Sequence, residues 1–325
     1  MENNDHGCVK TKQNNNLFLI KRANEWLRIA SKLKRPKKLF GNFWSEGEVS
    51  ILFAGTGLGK SILSVQIADS ISSGKPILGL EIELEKTPIL YFDFEISDLQ
   101  FRVRNTNYLG DSYKFDENFN RVTLNTDYEN LDNFQSHNLI LKNIESLVIK
   151  TGIQILIIDN MTYLNGDVEK AKEASAFIKE IKKLSNQYGL SILVVGHTPK
   201  RDESRLIDIN DLSGSKMISN LVDSVFAIGA SQKDSSVRYI KQLKCRSVEM
   251  IYNSENILVC QIEKYSSKLE LKFLEFGFEQ DHLKVIDKHA RFEQVKEMKK
   301  QGLTNVEISR RFGVTEGAVR IWLKD

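Results

Sequence analysis

The eight residues Ala54-Gly55-Thr56-Gly57-Leu58-Gly59-Lys60-Ser61 carry the clearest chemistry in the chain. They fit a relaxed phosphate-loop pattern: a small residue, four further residues, then Gly-Lys-Ser. Small residues are required because consecutive backbone N–H groups must turn inward around a triphosphate. Gly55, Gly57 and Gly59 give the backbone that freedom. Lys60 offers a point charge to the β- and γ-phosphates, and the Ser61 hydroxyl is a ligand for Mg²⁺. ATP and Mg²⁺ are therefore the expected cofactors. The apolar run Val49–Ala54 predicts a buried strand ahead of the loop. Residues 61–69 have helical spacing, which aims a helix N-terminus at the phosphates.

A carboxylate ends another apolar run, Gln154-Ile155-Leu156-Ile157-Ile158-Asp159. Such a strand would carry Asp159 to the edge of a sheet, where it holds Mg²⁺ through water. An acid there can equally serve only to open a turn. Asn160, not a second acid, follows it. A candidate base comes instead from Ile89-Leu90-Tyr91-Phe92-Asp93-Phe94-Glu95, where Glu95 stands at the end of a strand. Either Glu95 activates water or it is an acid favoured by the dipole of the helix that follows.

These groups need a scaffold, and the spacing predicts one. Strands are expected at 89–94, 121–125, 155–159 and 191–196, with helices at 97–105, 139–151 and 171–188 between them. Three more strands, at 225–230, 237–245 and 257–262, follow without helices of comparable length. The pattern predicts an α/β fold: a mostly parallel sheet with helices on both faces and an antiparallel extension. Residues 41–262 form the ATPase domain in this reading, and 263–290 a connector. Residues 1–40 are a basic tail, Asn-rich and expected to be disordered at its start. It continues into an amphipathic helix between Leu17 and Leu33, suited to packing on the core or on a neighbouring subunit. The basic run from Lys32 to Lys38 is a solvated linker or a nucleic-acid contact.

The order of motifs resembles the RecA/DnaB superfamily, in particular the RepA-type hexameric replicative helicases of plasmids and mobile elements. The resemblance covers about residues 40–262 and implies a RecA-like core with ATP bound between subunits of a ring. It implies that Glu95 activates the attacking water. Leu193-Val194-Val195-Gly196-His197-Thr198-Pro199-Lys200 is similar to the family's sensor strand. His197 is accordingly the expected γ-phosphate sensor, the alternative being a structural histidine that caps the strand, and Pro199 replaces a commoner polar residue. The loop after it, with Lys200, Arg201 and Arg205, would face single-stranded DNA in the ring's pore. Leu243-Lys244-Cys245-Arg246-Ser247 is similar to the element whose cations reach the neighbour's nucleotide. That makes Lys244 and Arg246 candidate fingers, while Lys and Arg alternating on a strand can also be a solvated face.

Residues 291–325 resemble a helix-turn-helix. Gly302 ends a first helix, Thr304-Asn305-Val306-Glu307 is a capping box opening a second, and Gly313 permits the turn into a third over 315–323. Ile308, Phe312, Val314, Val319 and Trp322 would form its core. Arg310, Arg311 and Arg320, with Lys324, would meet duplex DNA; the alternative is a helical hairpin for protein contacts.

Charge distribution agrees with basic ends. Residues 1–41 hold ten Lys/Arg against three acids, residues 291–325 eight against five, and the stretch between is net acidic. The ends are thus the better candidates for general phosphate attraction. The three cysteines show no metal-ligand spacing, which predicts reduced thiols. No apolar run is long enough for a membrane span and no cleavable leader is evident, so a cytoplasmic location is expected. The sequence therefore predicts an ATP-hydrolysing, DNA-binding protein, most simply a ring-forming helicase or translocating ATPase in plasmid or mobile-element replication. The rival reading is a sequence-specific regulator or loader that uses ATP as an assembly switch; a weaker third is an ATPase whose helical ends bind only proteins.

Overall fold

The computed structural model describes residues 18–125, 137–160, 170–198, 201–212, 215–284, 288–312 and 314–323. Two compact units divide the chain, residues 1–36 and 37–325. In the first, helix α1 (Ala23–Ala30) buries none of its residues, and Lys21 lies over the Trp26 ring at 4.7 Å.

The second unit begins earlier than the sequence suggested. A short hairpin, β1 (Lys38–Phe40) with β2 (Trp44–Ser45), precedes the phosphate-loop strand β3 (Val49–Ala54). Leu39, Phe40, Phe43 and Trp44 are buried, and Lys38 pairs with Glu81 at 2.8 Å. The end of the basic run therefore belongs to the folded core. Then come α2 (Lys60–Ser73), β4 (Ile89–Asp93), α3 (Asp98–Arg104), β5 (Phe119–Val122), α4 (His137–Thr151), β6 (Ile155–Asp159), α5 (Lys170–Tyr188) and β7 (Ser191–His197). After α6 (Ser215–Leu221) follow β8 (Ser224–Ala230), β9 (Val237–Lys244), β10 (Ile257–Tyr265) and β11 (Lys268–Gly277).

Nine strands make one sheet in the order β11-β10-β9-β8-β3-β7-β6-β4-β5. The six from β8 to β5 are parallel, and β9, β10 and β11 extend them antiparallel. Alternation along each parallel strand divides the apolar residues between two faces. Ile51, Phe53, Leu90 and Phe92 meet Ile144, Phe177, Ile178 and Ile181 of α4 and α5 on one side. Leu52, Ala54, Ile89 and Tyr91 meet Leu63, Ile67 and Ile71 of α2 on the other. Full burial of each such aliphatic side chain is worth roughly 1.5–3 kcal/mol, so the central strands are the firmest part of the scaffold. The expected α/β sheet with helices on both faces is present.

One expectation fails. Residues 263–290 are not a simple connector, because β10 runs on to Tyr265 and β11 pairs with it along its full length. Lys-Leu-Glu-Leu-Lys-Phe over 268–273 alternates with period two, which is the pattern of an edge strand with one wet face. Its buried face is stitched to the phosphate-loop helix. Gln66 donates to the Leu271 carbonyl (2.9 Å) and accepts from the Leu271 N–H (3.1 Å). Asp69 accepts from Tyr113 (2.8 Å) and from buried Lys268.

At the C-terminal end, α7 (Lys288–Lys300), α8 (Asn305–Phe312) and α9 (Glu316–Trp322) share a small core of Val295, Ile308 and Val319, with Phe312, Val314 and Trp322 against it. The capping box is formed: Thr304 N–H donates to Glu307 Oε2 (2.7 Å) and Glu307 N–H to Thr304 Oγ1 (3.3 Å). Gly313 and Lys324 lie outside the described residues. Among the described residues, no helix is long and apolar enough to cross a membrane.

Candidate nucleotide-binding site

Parallel register collects the reactive groups at one edge of the sheet. Ala54 lies beside His197 at the ends of β3 and β7, and Asp93 beside Asp159 at the ends of β4 and β6. Side chains beyond the carboxyl ends of parallel strands face a common crevice, where ligands of open α/β sheets bind. The loop of residues 55–59 rises from that edge. Gly57 and Gly59 have φ of 75° and 97°, conformations that side-chain-bearing residues rarely adopt. An ideal Cβ on Gly59 would also come within 3.2 Å of Ile262 Cδ1, so the β10–β11 hairpin closes directly on the loop.

Lys60 is buried at the start of α2. Its Nζ donates to the carbonyls of Ala54 (3.1 Å) and Gly55 (3.0 Å) and stands 3.2 Å from His197 Nδ1. Burial holds its pKa below the usual lysine value, opposed by the charges of Glu95 and Asp159. Asp159 is fully enclosed. Oδ2 accepts from the Tyr91 hydroxyl at 2.8 Å, while Oδ1 is buried without a hydrogen-bond partner. Burial pushes its carboxyl up to about 6, against the pull of Tyr91 and of the Ser61 hydroxyl beside it.

A buried, under-coordinated carboxylate oxygen next to Ser61 suits a hard cation, which takes oxygen ligands. The donor set therefore fits Mg²⁺ held by Ser61 and Asp159.

Glu95 is 38% exposed, so water reaches it. Its Oε2 accepts from Asn160 Nδ2 at 2.5 Å, and the same nitrogen lies 2.9 Å from His197 Nε2. Lys60, His197, Asn160 and Glu95 thus form one polar chain across three strand ends. His197 is kept below the ordinary histidine pKa by burial and by Lys60, with Glu95 acting the other way, which favours a neutral ring. In the sequence Asn160 reads only as the absence of a second acid, and Tyr91 and Arg121, both tied to this edge, belong to none of the candidate sets. A tyrosine inside an otherwise apolar strand was the available signal for Tyr91.

The other candidates sit elsewhere. Lys244 donates to the carbonyls of Ser219 and Val222 (2.8 Å to Val222), and Arg246 to the carbonyl of Asn220 (2.9 Å) and toward Asp223 (3.6 Å). Lys244 pairs with Val225, itself beside Ile51 at the start of the sheet. Three residues of strand, about 10 Å, separate Ile51 from the strand end that leads into the loop. Neither cation therefore lies beside its own chain's phosphate loop. Arg205 forms a forked pair with Asp211, and Arg201 donates to the Arg205 carbonyl (3.0 Å) and approaches Asp211 (3.7 Å). The two arginines expected to face DNA thus have an acidic partner within their own loop; Lys200 lies outside the described residues. Arg310, Arg311 and Arg320 are exposed, Arg320 pairing with Glu316 at 2.8 Å.

A phosphate loop on this sheet, with an acid at the end of β6 and a histidine at the end of β7, defines a RecA-like P-loop ATPase core. The AAA domain family profile (AAA_25) matches residues 20–203, and the chain belongs to that family. It is also similar to the DNA repair protein RadA of Bacillus subtilis (strain 168), with 22% identity over 225 residues. That match takes in 69% of this chain and 42% of RadA, so the chain spans about two fifths of that relative's length.

Proposed function

We propose that the protein is a DNA-associated ATPase, working as a ring of RepA-type helicase subunits with ATP between neighbours. The observation that carries hydrolysis is the Lys60–His197–Asn160–Glu95 chain beside Asp159. Ser61 and Asp159 would hold Mg²⁺, which would supply neutralisation of the charge that develops on the phosphates. Lys60 exchanges the Ala54 and Gly55 carbonyls for the β- and γ-phosphates. Glu95 orients the attacking water and accepts its proton, and Asn160 fixes the carboxylate that does so.

His197 reads the exchange. A neutral imidazole accepts a hydrogen bond at one nitrogen only, so Lys60 at Nδ1 and the Asn160 amide at Nε2 compete. Departure of Lys60 leaves Nδ1 to carry the proton and Nε2 to accept from Asn160.

The distance of Arg246 from its own loop favours action on a neighbour's nucleotide, where a fixed cation is worth about 10³-fold or more. DNA association rests on the RadA similarity and on the basic C-terminal helices. A second reading, a duplex-binding regulator or loader switched by ATP, is favoured by the Asp211 partnership of Arg201 and Arg205. The separating experiment measures ATP turnover with single-stranded and duplex DNA, together with strand displacement. A translocating helicase is stimulated by single strands and displaces; a regulator responds to a particular duplex or to none.

A further inference from the structure

Arg121 lies on β5, the outermost parallel strand, opposite Tyr91 of β4. Its guanidinium spends three nitrogens on a single turn, the one that carries Glu95. Nε donates to Asp93 Oδ2 (2.8 Å), one terminal nitrogen to Asp98 Oδ1 (2.6 Å), and the other to the Ile96 carbonyl (2.9 Å). The guanidinium carbon sits 4.5 Å from the centroid of the Phe101 ring on α3. Asp93 completes the clamp from within, because its other oxygen accepts the N–H groups of Glu95 (3.3 Å) and Ile96 (3.1 Å).

Attaching an edge strand does not require this arrangement. β5 is already held by parallel pairing to β4 and by the Tyr91, Phe119 and Phe115 ring stack. The start of α3 has its own capping box between Ser97 and Gln100. What the fork adds is a fixed backbone on either side of Glu95, whose own carboxylate, among the described residues, reaches Asn160 and the edge of His197. A rigid planar fork suits this task better than a lysine, since one side chain sets three acceptors at once.

We propose that Arg121 is a positioning residue for ATP hydrolysis. It holds the turn from Asp93 to Asp98 so that Glu95 meets the attacking water in a reactive geometry, and it makes no contact with nucleotide. This rests on the reading of Glu95 as the base. A misplacement of about 1 Å can cost on the order of 10²-fold in rate, so loss of the fork shows in kcat.

The test compares Arg121→Gln, Arg121→Lys, Asp98→Asn and Glu95→Gln, measuring kcat, nucleotide affinity by titration, and Tm. Arg121→Gln is expected to lower kcat about 10- to 100-fold with affinity within about twofold of the parent. Arg121→Lys keeps the charge beside Asp93 but loses the fork, and should fall between Arg121→Gln and the parent. Asp98→Asn alters an exposed side chain, cannot unfold the domain, and should cost about two- to fivefold in kcat alone. In a Glu95→Gln background, Arg121→Gln should cause no further loss, because it acts only through that carboxylate. Should Arg121→Gln prove too unstable to assay, the Lys and Asn variants decide.

Unchanged kcat in Arg121→Lys and Asp98→Asn, a fall in affinity equal to the fall in kcat, or an additive double variant each overturns the proposal. Failure of the underlying reading looks different: Glu95→Gln alone would then hydrolyse at the parental rate.

Discussion

Asn160 bridges Glu95 and His197: one amide nitrogen stands 2.5 Å from the carboxylate and 2.9 Å from the imidazole, which are themselves 4.0 Å apart. The residue that directly follows Asp159, the candidate metal ligand, therefore joins the candidate base to the candidate sensor. Removing it as Asn160→Ala lets the carboxylate face the ring directly. An opposite charge closing on an imidazole raises its pKa. The His197 titration midpoint, followed by NMR, should move upward, and kcat should fall about tenfold with nucleotide affinity preserved. An unmoved midpoint with parental kcat would remove Asn160 from the mechanism.

Asp159 gives a pH signature. Its pKa in the metal-free protein is raised from 3.8 to about 6, so near pH 6 it is about half protonated. Metal ligation requires the ionised form, and binding of Mg²⁺ with nucleotide should release about half a proton per site there and almost none at pH 7.5. The sign for stability follows from the same shift. Because the folded pKa lies above the unfolded one, the group's contribution is fully present below about pH 4 and is lost as pH rises through about 6. Calorimetry in two buffers of different ionisation heat measures the release. If Asp159→Asn releases as many protons as the parent, the titrating group is another residue.

Arg246 should act in trans. Arg246→Ala is expected to be inactive in hydrolysis with its own loop intact, and Lys60→Ala to lose nucleotide binding. Mixed together, the two inactive proteins should regain part of the activity, because some interfaces pair an intact loop with an intact cation. Mixed assembly is verified by mass spectrometry. No recovery in confirmed mixtures argues that Arg246 serves only its own chain, at the Asn220 carbonyl and Asp223.

A chain ending at residue 284 should retain basal hydrolysis and lose any preference among duplexes. It keeps the Lys284 N–H bond to the Glu203 carbonyl, and it removes three helices whose core residues, Val295, Ile308 and Val319, pack on one another. Arg320→Ala should flatten duplex preference by ~1–3 kcal/mol if it reads a base. If it touches phosphate alone, all duplexes weaken alike and the salt slope falls by about one unit. Binding titrations at several salt concentrations distinguish these outcomes, and equal preference with and without the helices leaves them a protein-contact role.

Local sequence determined the parts whose cause is local. The glycines and lysine of residues 55–60 specify the phosphate loop, since its geometry depends on backbone freedom and one charge within a few residues. Apolar runs ending in Asp93, Asp159 and His197 specify buried parallel strands, and Thr304 with Glu307 specifies a helix start. The strand over 268–273 was also legible as alternation, but interleaved Lys and Glu masked it; an edge strand needs only one dry face.

Tertiary structure alone decided what distant polar side chains do. The register that sets Asp93 beside Asp159 is what brings Glu95 to Asn160, 65 residues away. It also lays Arg121 against the turn that holds Glu95. Asp211 folds back onto Arg201 and Arg205, and the strand pairing sets Lys244 and Arg246 away from their own chain's phosphate loop. Hydrogen bonds and ion pairs act over a few ångströms and carry no periodicity along the chain. Their partners are fixed only once strand order and register are fixed.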